Sequence, residues 1–131
     1  MKQTLFMEKY PIFTLEVEKS ECIYSTTDAL ITYFKENITS DPTAILIGEF
    51  DHAAHTRSLE NGEVAADILE AKMVVFCFGQ KLPTPQMMAA RPRSINIADM
   101  GDRFVITFLE APMPAINATI EGWIKAVMTV I

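Results

Sequence analysis

Nothing in the chain approaches the roughly 20 consecutive apolar residues that a membrane-spanning helix requires. The longest apolar run, Met73–Phe78, has the length of a single strand. Cysteine is almost missing. Cys22 and Cys77 cannot build a disulfide framework and neither belongs to a CxxC pair, so both are expected as free thiols. Basic charge is also short, with 11 Lys and Arg against 17 Asp and Glu and a formal net charge of −6, which argues against a nonspecific grip on nucleic-acid phosphates. No HExxH, GxGxxG, Walker A, GxSxG or CxxC signature is present, and Ser58, Thr84 and Ser94 lack the pattern of an activated nucleophile. No Ser/Gly linker, low-complexity tract or repeat divides the chain, so residues 1–131 are read as one domain. Met1–Met7 begins like a secretory signal, but Glu8, Lys9 and Pro11 cut the apolar segment short, which predicts a cytoplasmic protein.

What is present suits a soluble globular domain: 131 residues, 50% hydrophobic and 21% charged. A chain of this size buries roughly two thirds of its unfolded surface, enough for a core without metal or disulfide support. Its charge is unevenly distributed. Residues 1–70 carry 13 acidic and 5 basic side chains, whereas residues 71–98 hold Lys72, Lys81, Arg91 and Arg93 and no carboxylate. Such a stretch is either a solvated part of a mixed surface or a patch that tolerates an anion.

Periodicity places the elements. Phe13, Leu15 and Val17 alternate with polar neighbours as in a half-buried strand over Ile12–Val17. Ser25–Asn37 reads as a helix, capped by Ser25, Thr26 or Thr27, with Leu30, Ile31 and Phe34 facing inward and Asp41-Pro42 ending it. Ala44–Phe50 follows as a strand, and Asp51 is placed to cap a short helix from His52 to about Glu60. Residues 63–72 fit a short helix or a loop equally well. Met73–Phe78 is apolar on both faces, which predicts an interior strand covered from both sides and places Cys77 in the core as a small apolar residue. Thr84-Pro85 opens a short helix through Ala90. Ile95–Ala98 and Arg103–Leu109 form strands around a turn at 99–102, and a final helix starts at Pro114. The order β-α-β-α-β-α-β-β-α predicts an α+β domain on a mixed sheet, with Ala44–Phe50 and Met73–Phe78 as neighbours.

Chemistry concentrates at two turns. If those two strands run parallel, the helix starts at Asp51-His52 and Thr84-Pro85 meet at one sheet end, where unpaired N–H groups favour an anion or a polarised carbonyl. His52 and His55 are the only histidines. Near a helix start the charged imidazolium is disfavoured, which suits a neutral ring acting as proton acceptor; the plainer reading is a surface ring bonded to backbone. Asp51, Cys77, Met87 and Met88 do not complete a metal set with them, so no metal site is expected. The candidate ligand-binding residues are therefore Asp51, His52, Lys81, Thr84, Met87 and Arg91, with His52 and Asp51 as the candidate catalytic pair.

The run Phe50-Asp51-His52-Ala53-Ala54, the strand ending Phe76-Cys77-Phe78-Gly79, then Thr84-Pro85-Gln86-Met87-Met88 and Pro92 before a strand pair resemble a bacterial family without assigned function, the domain of unknown function numbered three hundred and two. The similarity runs from the strand at Ile12 to the hairpin ending near Leu109. It implies an α+β fold with a central sheet, and no reaction. After Gly79 that family favours Asn-Pro where this chain has Gln80-Lys81, and residues 63–72 are more helix-like than the corresponding family loop.

Three functions fit these features. The first is a cytoplasmic small-ligand-binding or accessory domain, probed by its two turns and by Lys81 or Arg91, whose ligand is a small anion or polar metabolite. The second is a small enzyme using His52 as general acid or base on a carbonyl or sulfur compound, oriented by Asp51 or a backbone group. The third is an association module using Leu5-Phe6-Met7 and the Met-rich loop. Leu5, Phe6 and Met7 have no evident intramolecular partner, which predicts a homodimer.

Overall fold

The computed structural model describes residues 1–129. Six strands are present: β1 (Lys2–Phe6), β2 (Tyr10–Glu18), β3 (Ile45–Asp51), β4 (Glu70–Cys77), β5 (Arg93–Asp99) and β6 (Arg103–Leu109). Three α-helices accompany them: α1 (Thr27–Ser40), α2 (His52–Ser58) and α3 (Pro114–Lys125). The fold is α+β, and the predicted element order holds from β2 onward. β1 is the addition, because Lys2–Phe6 is exposed at every position and shows no alternation.

The strands form one sheet in the order β1-β2-β6-β5-β4-β3, and every pair is antiparallel. The expected mixed sheet is thus corrected. β3 and β4 are neighbours, as expected, but Asp51 pairs with Lys72 and Ile45 with Cys77, so the chain reverses between them. A parallel return needs a helix that crosses a sheet face. α2 is only 7 residues long, and it stays at the strand end beside Phe50.

One face of the sheet carries the core. Val17, Phe104, Ile106, Ile95, Val74 and Phe76 point at Leu30, Ile31, Phe34 and Ile38 of α1 and at Ile120 and Ile124 of α3. α1 forms as its sequence dictates. The Thr26 side chain accepts a hydrogen bond from the Ala29 N–H, Asp28 sits favourably in the first turn, and the buried residues fall three and four apart. Among the described residues the opposite face has no covering layer. β4 is interior to the sheet but covered on one side: Val74 and Phe76 are buried, whereas Met73, Val75 and Cys77 are partly exposed. Its unbroken apolar run reflects lateral packing by β3 and β5 as much as burial, which is why the expectation of two covered faces and a core Cys77 fails. Cys22 is buried and Cys77 half-buried, and both are free thiols. Burial pushes the Cys22 thiol pKa up.

Residues 63–69 are a loop, not a helix, and β4 starts at Glu70. The Arg57 guanidinium holds that loop by donating to the carbonyls of Ile68 at 3.0 Å and Leu69 at 3.2 Å. No helix among the described residues is long and apolar enough to cross a membrane.

Candidate functional site

Antiparallel pairing sends the two nominated turns to opposite ends of β4. Asp51 and His52 lie at the Lys72 end, while the 3-10 helix Pro85–Ala90 follows the Cys77 end. The shared site that parallel strands would have produced is therefore absent, and the two groups of residues have to be taken separately.

At the first end the functional-looking groups are engaged locally. The Asp51 carboxylate caps α2, accepting from the Ala54 N–H at 2.9 Å. His52 is exposed, and its Nδ1 shares a hydrogen bond with the Thr56 hydroxyl at 3.0 Å. The orienting partner is thus a threonine one turn along, rather than Asp51 or a backbone group. Both histidine rings flank Phe50, with centroids 5.3 Å and 5.5 Å away. His52 borders a shallow depression on the uncovered sheet face with Met73, Asn96, Val105 and Thr107. Lys72, beside Asp51 in the ladder, is paired with Asp28, and that hydrogen bond raises its pKa. No cluster of three His, Cys, Asp or Glu side chains suited to a metal occurs among the described residues.

At the second end Lys81, Met87 and Arg91 come together on a cavity of about 560 Å³. Thr84 is not in its wall. It occupies the position before the 3-10 helix, where its side chain makes no capping bond and its backbone carbonyl accepts from the Met87 N–H at 3.2 Å. Pro85 at the first position favours the tight turn that swings Met87 inward while Met88 is left 61% exposed. The other walls come from distant parts of the chain: Phe78 beyond β4, Asp41 and Thr43 after α1, and Met113, Ile116 and Thr119 at the start of α3. Phe78 is fixed by stacking on Trp123, centroids 5.8 Å apart. The segment before α3 is fixed by Asn117, whose buried amide accepts from the Ala111 N–H at 2.7 Å and donates to the Ala111 carbonyl at 2.9 Å.

The cavity lining combines apolar side chains with two cations, Lys81 and Arg91. Lys81 and Arg91 make no ion pair among the described residues. The one carboxylate in the wall, Asp41, is turned onto its own loop, accepting from the Thr43 N–H and hydroxyl at 2.8 Å each. In sequence Asp41 reads only as part of the Asp41-Pro42 stop of α1, Ile116 and Thr119 read only as residues of the last helix, and Thr43 and Met113 carry no reading of their own. Their place in the wall depends on tertiary packing that no local pattern carries.

A family model covers residues 1–129 of this sequence, nearly its whole length. The chain belongs to DUF6858, a family of unknown function. The matching model is thus not the family numbered three hundred and two whose short motifs the sequence resembles, although both descriptions are of domains without an assigned role. No curated protein and no solved structure matches the chain. Membership of DUF6858 assigns no ligand or reaction, so the chemistry of the cavity wall is what bears on function.

Proposed function

We propose that this member of DUF6858 is a cytoplasmic small-ligand-binding or accessory domain that takes an anionic or polar metabolite into the cavity between the 3-10 helix and α3. One observation carries the reading: Lys81, Met87 and Arg91 line a cavity of about 560 Å³ together with the apolar side chains of Phe78, Met113 and Ile116. Ligand sites are of this size and pair a largely apolar lining with a few polar groups that set orientation. The fluorescent probe 8-anilinonaphthalene-1-sulfonate, an aromatic body with one anionic group, tests it. Its emission should rise on adding the folded protein, and Ala115→Trp, at a residue that lines the cavity, should abolish the rise. Emission unchanged by the protein, or enhanced equally by the variant, sinks the proposal.

We also propose that the protein pairs with a second copy through the β1–β2 hairpin. Leu5, Phe6, Met7 and Tyr10 stand 63%, 55%, 68% and 52% exposed there, and β1 is an outer strand with free backbone groups. A hairpin this apolar favours an isologous contact over solvent. Sedimentation velocity should report a dimer for the wild type and a monomer for Phe6→Glu; a wild type that is monomeric at high micromolar concentration removes the pairing.

A further inference from the structure

An antiparallel sheet that keeps one face in water alternates apolar residues inward with polar residues outward. Three adjacent strands of this protein break that rule. On the face away from α1 and α3, β4 turns out Met73 and Val75, β5 Asn96 and Ala98, and β6 Val105 and Thr107, all of them partly exposed. From Ala71 to Cys77, Ser94 to Ala98 and Val105 to Leu109, no outward position carries a charge, in a chain that is 21% charged.

The central amide of this face already has its partners. Asn96 donates through its side-chain nitrogen to the Thr107 carbonyl at 3.1 Å and hydroxyl at 3.3 Å, and its oxygen accepts from the Ser94 hydroxyl at 3.0 Å. Covering the face would therefore leave that amide paired, which removes the usual penalty for burying one. The apolar surface also reaches the hairpin. The register sets Ile12 beside Leu109 and Phe6 beside Tyr10 on this same side, so the exposed Phe6 and Tyr10 rings prolong the face to the outer strand. Charge returns at its margin, with Lys2, Glu16 and Arg103.

Size and charge both suit a second copy of the chain. Six strands about 4.8 Å apart, with seven residues rising about 3.4 Å each, span roughly 700 Å² in projection. Each partner in a stable complex gives about 800 Å². A net charge of −6 makes two copies repel, and that repulsion is weakest across a face without charges. Two sheets of the same twist stack face to face with their strands within about 30° of one another.

We propose that two copies pack by these sheet faces into a four-layer sandwich, with α1 and α3 of each copy on the outside. This rests on the pairing of two copies stated above and names its surface: the sheet face, with Phe6 and Tyr10 at its corner, in place of the free edge of β1.

Sedimentation velocity should report a dimer for the wild type. Val105→Lys adds a side chain that reaches solvent in the monomer, and it should weaken pairing at least about a hundredfold, because two-fold symmetry buries its charge twice. In the wild type the Val75 and Val105 methyl signals should move on dilution from dimer to monomer, a readout that needs no variant to fold. Signals that stay still while a dimer forms overturn the face contact; if the β1 amides are then protected from hydrogen exchange, pairing by the hairpin edge stands. A Val105→Lys protein that dimerises as tightly as the wild type also overturns the face contact. A wild type that is monomeric at high micromolar concentration overturns both.

Discussion

At one end of β4, Asp51, His52 and Lys72 lie close together, and each is already engaged: by an N–H of α2, by Thr56 and by Asp28. At the other end Lys81, Arg91 and Arg93 arrive from a loop, a turn and a strand, and no carboxylate among the described residues pairs with any of them. The first end has the more reactive residue types and the second has the unmet charge. Reactive types that are adjacent in sequence are also positioned to satisfy one another, as a cap or a one-turn hydrogen bond. Charges gathered by tertiary structure have no such local outlet.

The sharpest way to break this contrast is Asn117→Ala. It leaves both the N–H and the carbonyl of buried Ala111 unpaired at the cavity end, and should cost about 2 to 4 kcal/mol in urea unfolding. A loss below about 1 kcal/mol would mean that the cavity wall does not depend on this clamp. Asp51→Ala, at the other end, should cost about 1 kcal/mol, the usual worth of a capping side chain, without altering the response of 8-anilinonaphthalene-1-sulfonate. His52→Ala should shift stability by less than about 1 kcal/mol, since the ring is exposed, and should also leave binding unchanged. A binding defect in His52→Ala would erase the distinction between the two ends. The smallest effect concerns pH. The hydrogen bond to Asp28 raises the Lys72 pKa above its ordinary 10.5, so the stabilisation from this pair is complete below that pH and is lost as pH climbs through the folded value. Urea midpoints of Lys72→Met and wild type should therefore differ at neutral pH by no more than about 1 kcal/mol, and converge on strongly alkaline titration.

Most of the architecture is legible in the sequence. β6 has the predicted bounds, Arg103–Leu109, and α3 starts at Pro114 as its proline and helical spacing require. Thr26 was among the capping residues nominated for α1. Strand direction was not legible, because periodicity reports which residues share a face and says nothing about which way a neighbour runs. That one quantity decided the site: a reversed β4 separates His52 from Arg91. Lys81 and Arg91 stand out in sequence as part of a carboxylate-free stretch, and nothing local separates Arg93 in the same stretch from them. Its burial follows from the pleat of β5, where Arg93, Ile95 and Ile97 share the covered face.

β3, the outer strand opposite β1, presents Ile45 and Ile47 at 64% and 57% exposure, and its ladder with β4 slips between Leu46 and Gly48. An extra residue there bends the strand and puts its two halves out of step. A second molecule zipping onto this side would find a continuous ladder only as far as the slip, followed by the like charges of Glu49 and Asp51. Growth into a fibre needs every rung to repeat. The slip at Ile47 thus interrupts the row of backbone groups that an incoming strand would have to extend along this margin.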